Sequence, residues 1–393
     1  NIPRYVDSSE AAEHWDVYAS MFGGIPTAEI DEMSEFWTAF PALKKALFTE
    51  SGIPYVNVST PDIKSAIKSH PDVVGFEKTF NAAFSTFPAF LKEELIDRMG
   101  SIEISKAETV LSADIFERLK DIPLIDQYAA FQLLDDDWTG ISIDLEMLQT
   151  EGFAATKKVD PNLVIKKKDG KDQEVQEGWV GHIIPFDLVQ ATLLSAETDE
   201  LHGLESRLAE IPSEYESILD EMTEEDKESC NDVLTDEGDA FVPKEVSKKI
   251  KELKKDRSPE SVALRTLLEK VESLVKSEKE IKAEIKAKGA ALQAKTKDTI
   301  ESLSDEQALD LLEKKWIAPL IESIHKLPDT VIDSLVSKIQ ALQNKYATTF
   351  FEVEQQISET EATLSGMIDD LEGNEYDMLG LNELKKLLGG SAE

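Results

Sequence analysis

Apolar residues recur at three- and four-residue intervals through the first third of the chain, a spacing that predicts amphipathic helices. After a glycine-proline turn at residues 23–26, a helix is predicted to begin at Thr27, whose hydroxyl suits the N-cap position. From Ser59 to about Ile122 the pattern stays helical. Its apolar face carries a phenylalanine stripe that we interpret as packed core: Phe76, Phe80, Phe84, Phe87 and Phe90.

Between residues 124 and 190 the pattern changes to short apolar runs separated by glycines. Residues 124–134 predict one more helix, which ends at the acidic triplet 135–137. Residues 162–168 predict a strand that runs into an Asp-Gly turn, and residues 179–185 predict the returning strand. The sequence therefore predicts a small β-hairpin in an otherwise helical chain.

Two long apolar series occupy the last third of the chain. The first covers residues 267–292 in alternating four- and three-residue steps, and the second continues at similar steps over 332–371. Prolines between the two series favour a reversal, so the simplest arrangement is a long antiparallel coiled-coil hairpin, followed by a short amphipathic helix over 381–388. The apolar positions left over are predicted to dock a partner: Ile357, Leu364, Ile368, Leu371, Leu384 and Leu387.

These patterns together predict a mainly α protein. It consists of a helical domain with a small β-hairpin element and a long C-terminal antiparallel coiled-coil hairpin. Four consecutive regions are expected: a helical region at 1–122, a mixed α/β element at 123–195, an acidic linker or helix at 196–243, and the helical hairpin with its docking helix at 244–393.

Composition narrows the function classes. The chain of 393 residues has 79 acidic and 42 basic side chains, a net charge of −37, so its average surface repels nucleic-acid phosphates. Its single cysteine excludes an internal disulfide and a zinc-thiolate cluster, which fits a reducing cytoplasm. No apolar run approaches the ~18 residues of a membrane span. We therefore expect a cytoplasmic protein without a membrane partner.

The charge is divided into blocks of opposite sign. Residues 197–239 contain 17 acids and 2 bases, whereas residues 244–297 contain 16 bases and 9 acids. Neighbouring helices with opposite charge usually present solvated faces that attract each other. We prefer this interpretation to a DNA-binding stripe.

Candidate catalytic chemistry is absent from the sequence. There is no Gly-x-Gly fingerprint, no P-loop, no Gly-x-Ser-x-Gly elbow, no paired histidines and no adjacent prolines that would form an Asn/Asp-Pro-Pro-Tyr/Phe motif. Residues 135–146 imitate an EF-hand loop, with Gly140 at the sharp turn and Glu146 at the bidentate position. Ser142 and Ile143 depart from that pattern, and the alternative is a helix end with solvated carboxylates.

The densest basic cluster in the first half surrounds the predicted hairpin turn. It consists of Lys157, Lys158 and Lys171 together with the possible DNA-contact residues Lys166, Lys167 and Lys168. A hairpin tip with several lysines can reach a phosphate backbone, and it can equally be a solvated turn.

Several short blocks resemble the modification (M) subunit of type I restriction–modification systems. Residues 1–10 (Asn-Ile-Pro-Arg-Tyr-Val-Asp-Ser-Ser-Glu) resemble the segment that follows the methyltransferase core in that family. The other blocks run the length of the chain: Gly23–Pro26, Ile30-Asp31, Phe36-Trp37, Phe40–Leu43, Leu47-Phe48, Ile122–Tyr128, Phe131-Gln132, Trp138, Gly178-Trp179, Lys314–Trp316 and Asn344–Thr348.

The resemblance implies that the whole subunit transfers a methyl group from AdoMet to the exocyclic amine of adenine. The family's AdoMet loop and Asn-Pro-Pro-Tyr/Phe motif are not in this chain, so we expect no catalytic, cofactor-binding or metal-binding residue here. The chain opens without an initiator methionine and is expected to be a piece that lies C-terminal to the catalytic domain.

The implied partners are the specificity (S) subunit, a second M subunit, the restriction (R) subunit, and DNA through the assembly. The alternative is a stand-alone acidic coiled-coil adaptor that binds proteins and has no role with DNA.

Overall fold

The computed structural model describes residues 14–52, 54–168, 171–235, 238–256 and 258–387. The chain divides into two compact units. Unit 1 comprises Asn1–Phe90, Glu108–Asp137 and Leu320–Glu393, and unit 2 comprises Leu91–Ala107 and Trp138–Pro319. The predicted mainly helical class with small antiparallel sheets is confirmed. None of the described helices is long and apolar enough to cross a membrane.

Unit 1 is built from short helices in its first part and longer helices in its last part. Their bounds are α1 (Val17–Phe22), α2 (Thr27–Asp31), α3 (Ser34–Ala39), α4 (Leu43–Leu47), α5 (Ile63–Lys68), α6 (Pro71–Phe84), α17 (Leu327–Lys345), α18 (Phe350–Asp369) and α19 (Glu375–Leu387). Four further helices have residues in both units: α7 (Phe87–Leu91), α8 (Ile104–Leu119), α9 (Gln127–Glu151) and α16 (Ala318–His325).

The phenylalanine stripe forms the core of unit 1, as predicted. Phe80, Phe84 and Phe87 are buried, with the rings of Phe80 and Phe84 stacked 4.8 Å apart. Phe84 meets Phe87 edge-on at 5.5 Å, an arrangement that aromatic pairs favour.

A three-stranded antiparallel sheet in unit 1 was not predicted. Its strands are β1 (Ile25–Pro26), β2 (Phe48–Gly52) and β3 (Tyr55–Val58), in the order β1-β3-β2. Each strand is only two to five residues long. Such short strands give too few alternating positions to stand out from the helical spacing around them.

Unit 2 contains the predicted hairpin and the longest helices. Its elements are a π-helical turn (Lys92–Asp97), a 3-10 turn (Phe153–Lys157), β4 (Val159–Lys168), β5 (Lys171–Gly181), α10 (Phe186–Leu193), α11 (Ser195–Glu221), α12 (Glu224–Ser229), α13 (Pro243–Leu253), α14 (Pro259–Glu301) and α15 (Asp305–Trp316). The hairpin is confirmed, but its second strand begins at Lys171 and ends at Gly181, before the predicted end at residue 185.

The acidic triplet 135–137 does not end a helix, as the sequence had suggested. Helix α9 continues through it and through Gly140 to Glu151. The apolar residues that follow the triplet explain why, because Trp138, Ile141, Leu145 and Leu148 recur at helical spacing and are all buried.

Helices α11 and α14 form a long antiparallel pair. Three contacts run in opposite directions along the two helices: Lys295 pairs with Glu197, the Tyr215 hydroxyl donates to Glu278 at 3.2 Å, and Lys270 pairs with Glu221 at 3.1 Å. The acidic and basic blocks thus face each other, as expected from their opposite charge.

The predicted pairing of the first apolar series (267–292) with the second (332–371) was wrong. Leu268, Val271 and Leu274 of α14 share one buried cluster with Ile218 of α11 and Ile250 of α13. These two helices therefore occupy the apolar seam that we had assigned to residues 332–371.

The second series is divided into two helices with different surroundings. Over α17 its residues are buried, and α17 packs against α5 with ion pairs from Lys64 to Asp333 at 2.7 Å and from Lys68 to Asp329 at 2.6 Å. Over α18 most of its apolar residues are exposed.

Candidate functional site

The largest group of exposed apolar side chains near the C-terminal end lies on α18 and α19, which we call the α18–α19 surface (residues 350–387). Of the six predicted docking residues, five are between 44% and 83% exposed, and Ile368 is half-buried. The five are Ile357, Leu364, Leu371, Leu384 and Leu387. Soluble proteins seldom leave so many large apolar side chains together in water unless another molecule covers them.

Local interactions fix the two helices of this surface. Thr349 caps α18: its hydroxyl accepts a bond from the Glu352 amide at 3.1 Å, while its own amide donates to Glu352 Oε2 at 3.0 Å. The bonds that the Thr349 amide and, at 3.0 Å, the Thr349 hydroxyl donate to the carboxylate hold the pKa of Glu352 below its usual range. Lys385 of α19 pairs with Asp369 at the end of α18 at 2.7 Å.

The α18–α19 surface is strongly acidic. Residues 350–387 carry ten acidic side chains and two lysines, and α18 itself carries five acids and no base. Both lysines are already engaged, Lys385 by Asp369 and Lys386 by Glu383 at 2.6 Å. The surface therefore combines exposed apolar groups with unbalanced negative charge.

A network of partly buried polar groups holds the chain just before α18. The Tyr346 hydroxyl donates to Glu29, whose other oxygen accepts from Lys345 at 2.9 Å. The Asp16 amide donates to the Tyr346 hydroxyl at 3.1 Å, and Asp16 Oδ1 accepts from the Tyr55 hydroxyl at 3.1 Å. Burial and Glu29 raise the pKa of Tyr346. This network brings together Asn344–Thr348 and the β1–β3 pairing at Gly23–Pro26, two of the blocks that carry the family resemblance.

A cavity of about 240 Å³ in unit 1 is lined by residues of two further resembling blocks. Phe36 comes from one block, and Leu124, Ile125 and Asp126 come from the other. Leu124 has a φ of 69°, a left-handed conformation that no other non-glycine residue of the described part adopts.

The lysine-bearing hairpin is less basic than the sequence suggested. Lys157 pairs with Asp305 and Lys158 with Glu151, both at 2.6 Å. Lys167 is exposed and stands directly opposite Asp172 in the strand register. The side chains of Lys166 and Lys168 lie outside what the structure describes, so their contact with DNA stays a prediction.

The base of the hairpin is held firmly. The Lys297 ammonium lies 3.9 Å from the centre of the Trp179 ring, within range of a cation–π interaction. A Cβ atom at Gly181 would lie 1.7 Å from the Ile184 carbonyl oxygen, so only glycine fits this position. Beyond the bulge between Pro161 and Leu163, the distal strands carry exposed apolar side chains.

His182 joins the hairpin to α9. Its Nδ1 lies 2.6 Å from Asp160 Oδ2 and its Nε2 lies 3.2 Å from Glu151 Oε1. The bond to Asp160, with help from Glu151, outweighs partial burial and raises the pKa of His182. The charged imidazolium is therefore favoured at this joint.

Asp144, Lys315 and Trp316 form a buried polar cluster in unit 2 that the sequence did not reveal. Asp144 Oδ2 accepts bonds from the Trp316 indole at 2.7 Å and from the Lys315 ammonium, which also donates to the Ile183 carbonyl at 2.6 Å. Asp144 is 5% exposed, so these partners balance a charge that has little access to water. The cluster is fully paired and stabilises packing.

The EF-hand-like segment at residues 135–146 does not form a calcium-binding loop. Residues 135–146 lie within α9, and a continuous helix does not wrap its side chains around one ion as a 12-residue loop does. Among the described residues there is no group of three or more histidine, cysteine or acidic side chains that could hold a metal ion. Cys230 is buried, and burial raises its pKa.

Comparisons with protein-family models, with curated proteins and with solved structures gave no match for this chain. The relation to modification subunits thus rests on the short blocks of sequence resemblance. The structure shows where those blocks lie in the fold and that the α18–α19 surface is exposed.

Proposed function

We propose that this chain is the assembly region of a type I restriction–modification DNA adenine methyltransferase subunit. It docks on the specificity subunit through the α18–α19 surface. The observation that supports this most is the exposure of Ile357 and Leu364 on α18 and of Leu371 just after it, together with Leu384 and Leu387 on the following helix.

In this proposal catalysis belongs to the part of the subunit that carries the AdoMet loop and the base-holding motif. The chain contributes apolar contact area, and a second M subunit, the restriction subunit and DNA join through the assembly. Helices α18 and α19 then have an intermolecular role, as predicted for the docking residues at the C-terminal end.

The test replaces Leu384 and Leu387 by aspartate and measures co-purification with the specificity subunit. Burying a leucine is worth about 1.5–3 kcal/mol, so losing two should weaken binding by at least about a hundredfold. Helical content should stay nearly unchanged, because both side chains are exposed in the free chain. The matched control is Val110→Asp with Ile143→Asp, two exposed apolar residues on other helices. Normal assembly of the Leu384/Leu387 variant would place the docking surface elsewhere.

The second candidate is the stand-alone acidic adaptor. The net charge of −37 and the paired lysines beside the hairpin favour it. Reading the gene upstream of Asn1 separates the two proposals, because an AdoMet loop and an Asn-Pro-Pro-Tyr/Phe motif there support the methyltransferase subunit.

A further inference from the structure

The exposed face of α18 has a specific chemical pattern. Val353, Ile357 and Leu364 follow at intervals of four and seven residues, so they form one stripe along α18, and Leu371 lies just beyond the end of the helix at Asp369. The exposed fractions of these four side chains range from 38% to 53%. The stripe on α18 is long enough to receive a helix of about three turns.

Two carboxylates border the stripe. Glu354 precedes Ile357 by three residues, and Glu361 lies four residues after Ile357 and three before Leu364. Residues three and four apart are neighbours on a helix surface, so both carboxylates share the face of the apolar stripe. Within the part of the chain that the structure describes, neither has an ion-pair or hydrogen-bond partner.

This pattern restricts what can cover the stripe. A wholly apolar partner would take two carboxylates out of water without compensation, which is costly. A second copy of α18 would bring carboxylates against carboxylates, and a nucleic acid would bring phosphates against them. A helix with lysine or arginine beside its own apolar stripe satisfies both the apolar and the charged groups.

We propose that the partner of α18 is a basic amphipathic helix whose cationic side chains, seven residues apart, pair with Glu354 and Glu361. This inference rests on the proposed function, since both assign docking to α18, and it names the chemistry of the docked segment. The seven-residue interval fixes the register of the two helices, as charged positions do beside coiled-coil seams.

The experiment uses the full chain and three synthetic amphipathic helical peptides with identical apolar positions. Their flanking positions carry lysine, glutamine or glutamate, and binding is measured by fluorescence anisotropy at low and high salt. The lysine peptide should bind about tenfold tighter than the glutamine peptide, and the glutamate peptide weakest. Added salt should reduce the difference.

A charge swap tests the two named residues. The double variant Glu354→Lys with Glu361→Lys should reverse the preference, so that the glutamate peptide binds best. The matched control is Glu359→Lys with Asp370→Lys, which makes the same charge change on the opposite face of the helix and should leave the order of the peptides unchanged.

Several outcomes would overturn the inference: equal binding of the lysine and glutamate peptides, best binding of the glutamine peptide, no binding of any peptide, or a self-associated chain that the charge swap dissociates. The peptides contain no specificity subunit, so the result is independent of the co-purification test. If the peptides fail but the Leu384/Leu387 variant loses co-purification as expected, only the charge rule is removed. If the peptides bind as expected but that variant still co-purifies normally, the proposed function is removed.

Discussion

Gly140 shows how a single residue can mislead a sequence interpretation. A glycine after an acidic triplet suggested the sharp turn of a calcium loop, yet the residue lies in the middle of α9. A glycine weakens a helix by only about 1 kcal/mol, and burial of Trp138, Ile141 and Leu145 on the same helix outweighs this cost.

Replacing Gly140 by alanine should therefore stabilise the protein by about 0.5–1 kcal/mol, because no atom lies within 4 Å of the added Cβ. Urea unfolding with and without calcium measures this, and calcium should have no effect on either protein. Gly181→Ala is the contrasting variant, since its Cβ would clash with the Ile184 carbonyl and destabilise the base of the hairpin. A less stable Gly140→Ala protein, or a midpoint raised by calcium, would restore the loop interpretation.

The sequence did not indicate the contacts of some buried polar residues. Asp144 and Trp316 are 172 positions apart, and nothing in their neighbours indicates that they share a hydrogen bond. An acidic residue on an otherwise apolar helix face was the available hint. Local periodicity predicts which face is buried, but it does not identify the distant group that neutralises a buried charge.

Helices and strands were predicted more accurately than the pairs that they form. The apolar run before the Asp-Gly turn in residues 162–168 and the apolar spacing of 267–292 both predicted the correct secondary structure. Pairing the first series with 332–371 relied on apolar spacing alone, whereas the opposite charges of α11 and α14 favour the observed pair. The charge blocks had indicated that these two segments attract each other, but apolar spacing alone was used to choose the partner of the seam.

The hairpin is the element whose role with DNA is most open to test. Changing Lys166, Lys167 and Lys168 to glutamate in the full assembly should weaken DNA binding and flatten its dependence on salt. Each lost phosphate contact reduces the slope of log K against log salt by about 0.9. The control triple variant changes Lys251, Lys279 and Lys286, three exposed residues of α13 and α14, to glutamate. Unchanged affinity and slope would show that the hairpin tip is a solvated turn.

At the scale of the whole molecule, the charge distribution limits what the chain does alone. The basic block that might have attracted DNA is partly neutralised by α11, through Lys295, Lys288 and Lys270. The C-terminal helices add further negative charge. Both features favour contacts with proteins over contacts with nucleic acid.

The isolated chain should accordingly bind neither AdoMet nor, near physiological salt, duplex DNA. The sequence has no glycine-rich loop to receive the cofactor, and a net charge of −37 opposes the counterion release that drives non-specific DNA binding. Calorimetry tests for AdoMet binding at concentrations up to about 1 mM, where binding is worth only about −4 kcal/mol. Fluorescence anisotropy with a labelled duplex tests for DNA binding. An intact modification subunit serves as the positive control in both assays. Saturable AdoMet binding by the isolated chain would mean that a cofactor site exists without the expected motifs, and catalysis would then have to be sought in this chain rather than upstream of it.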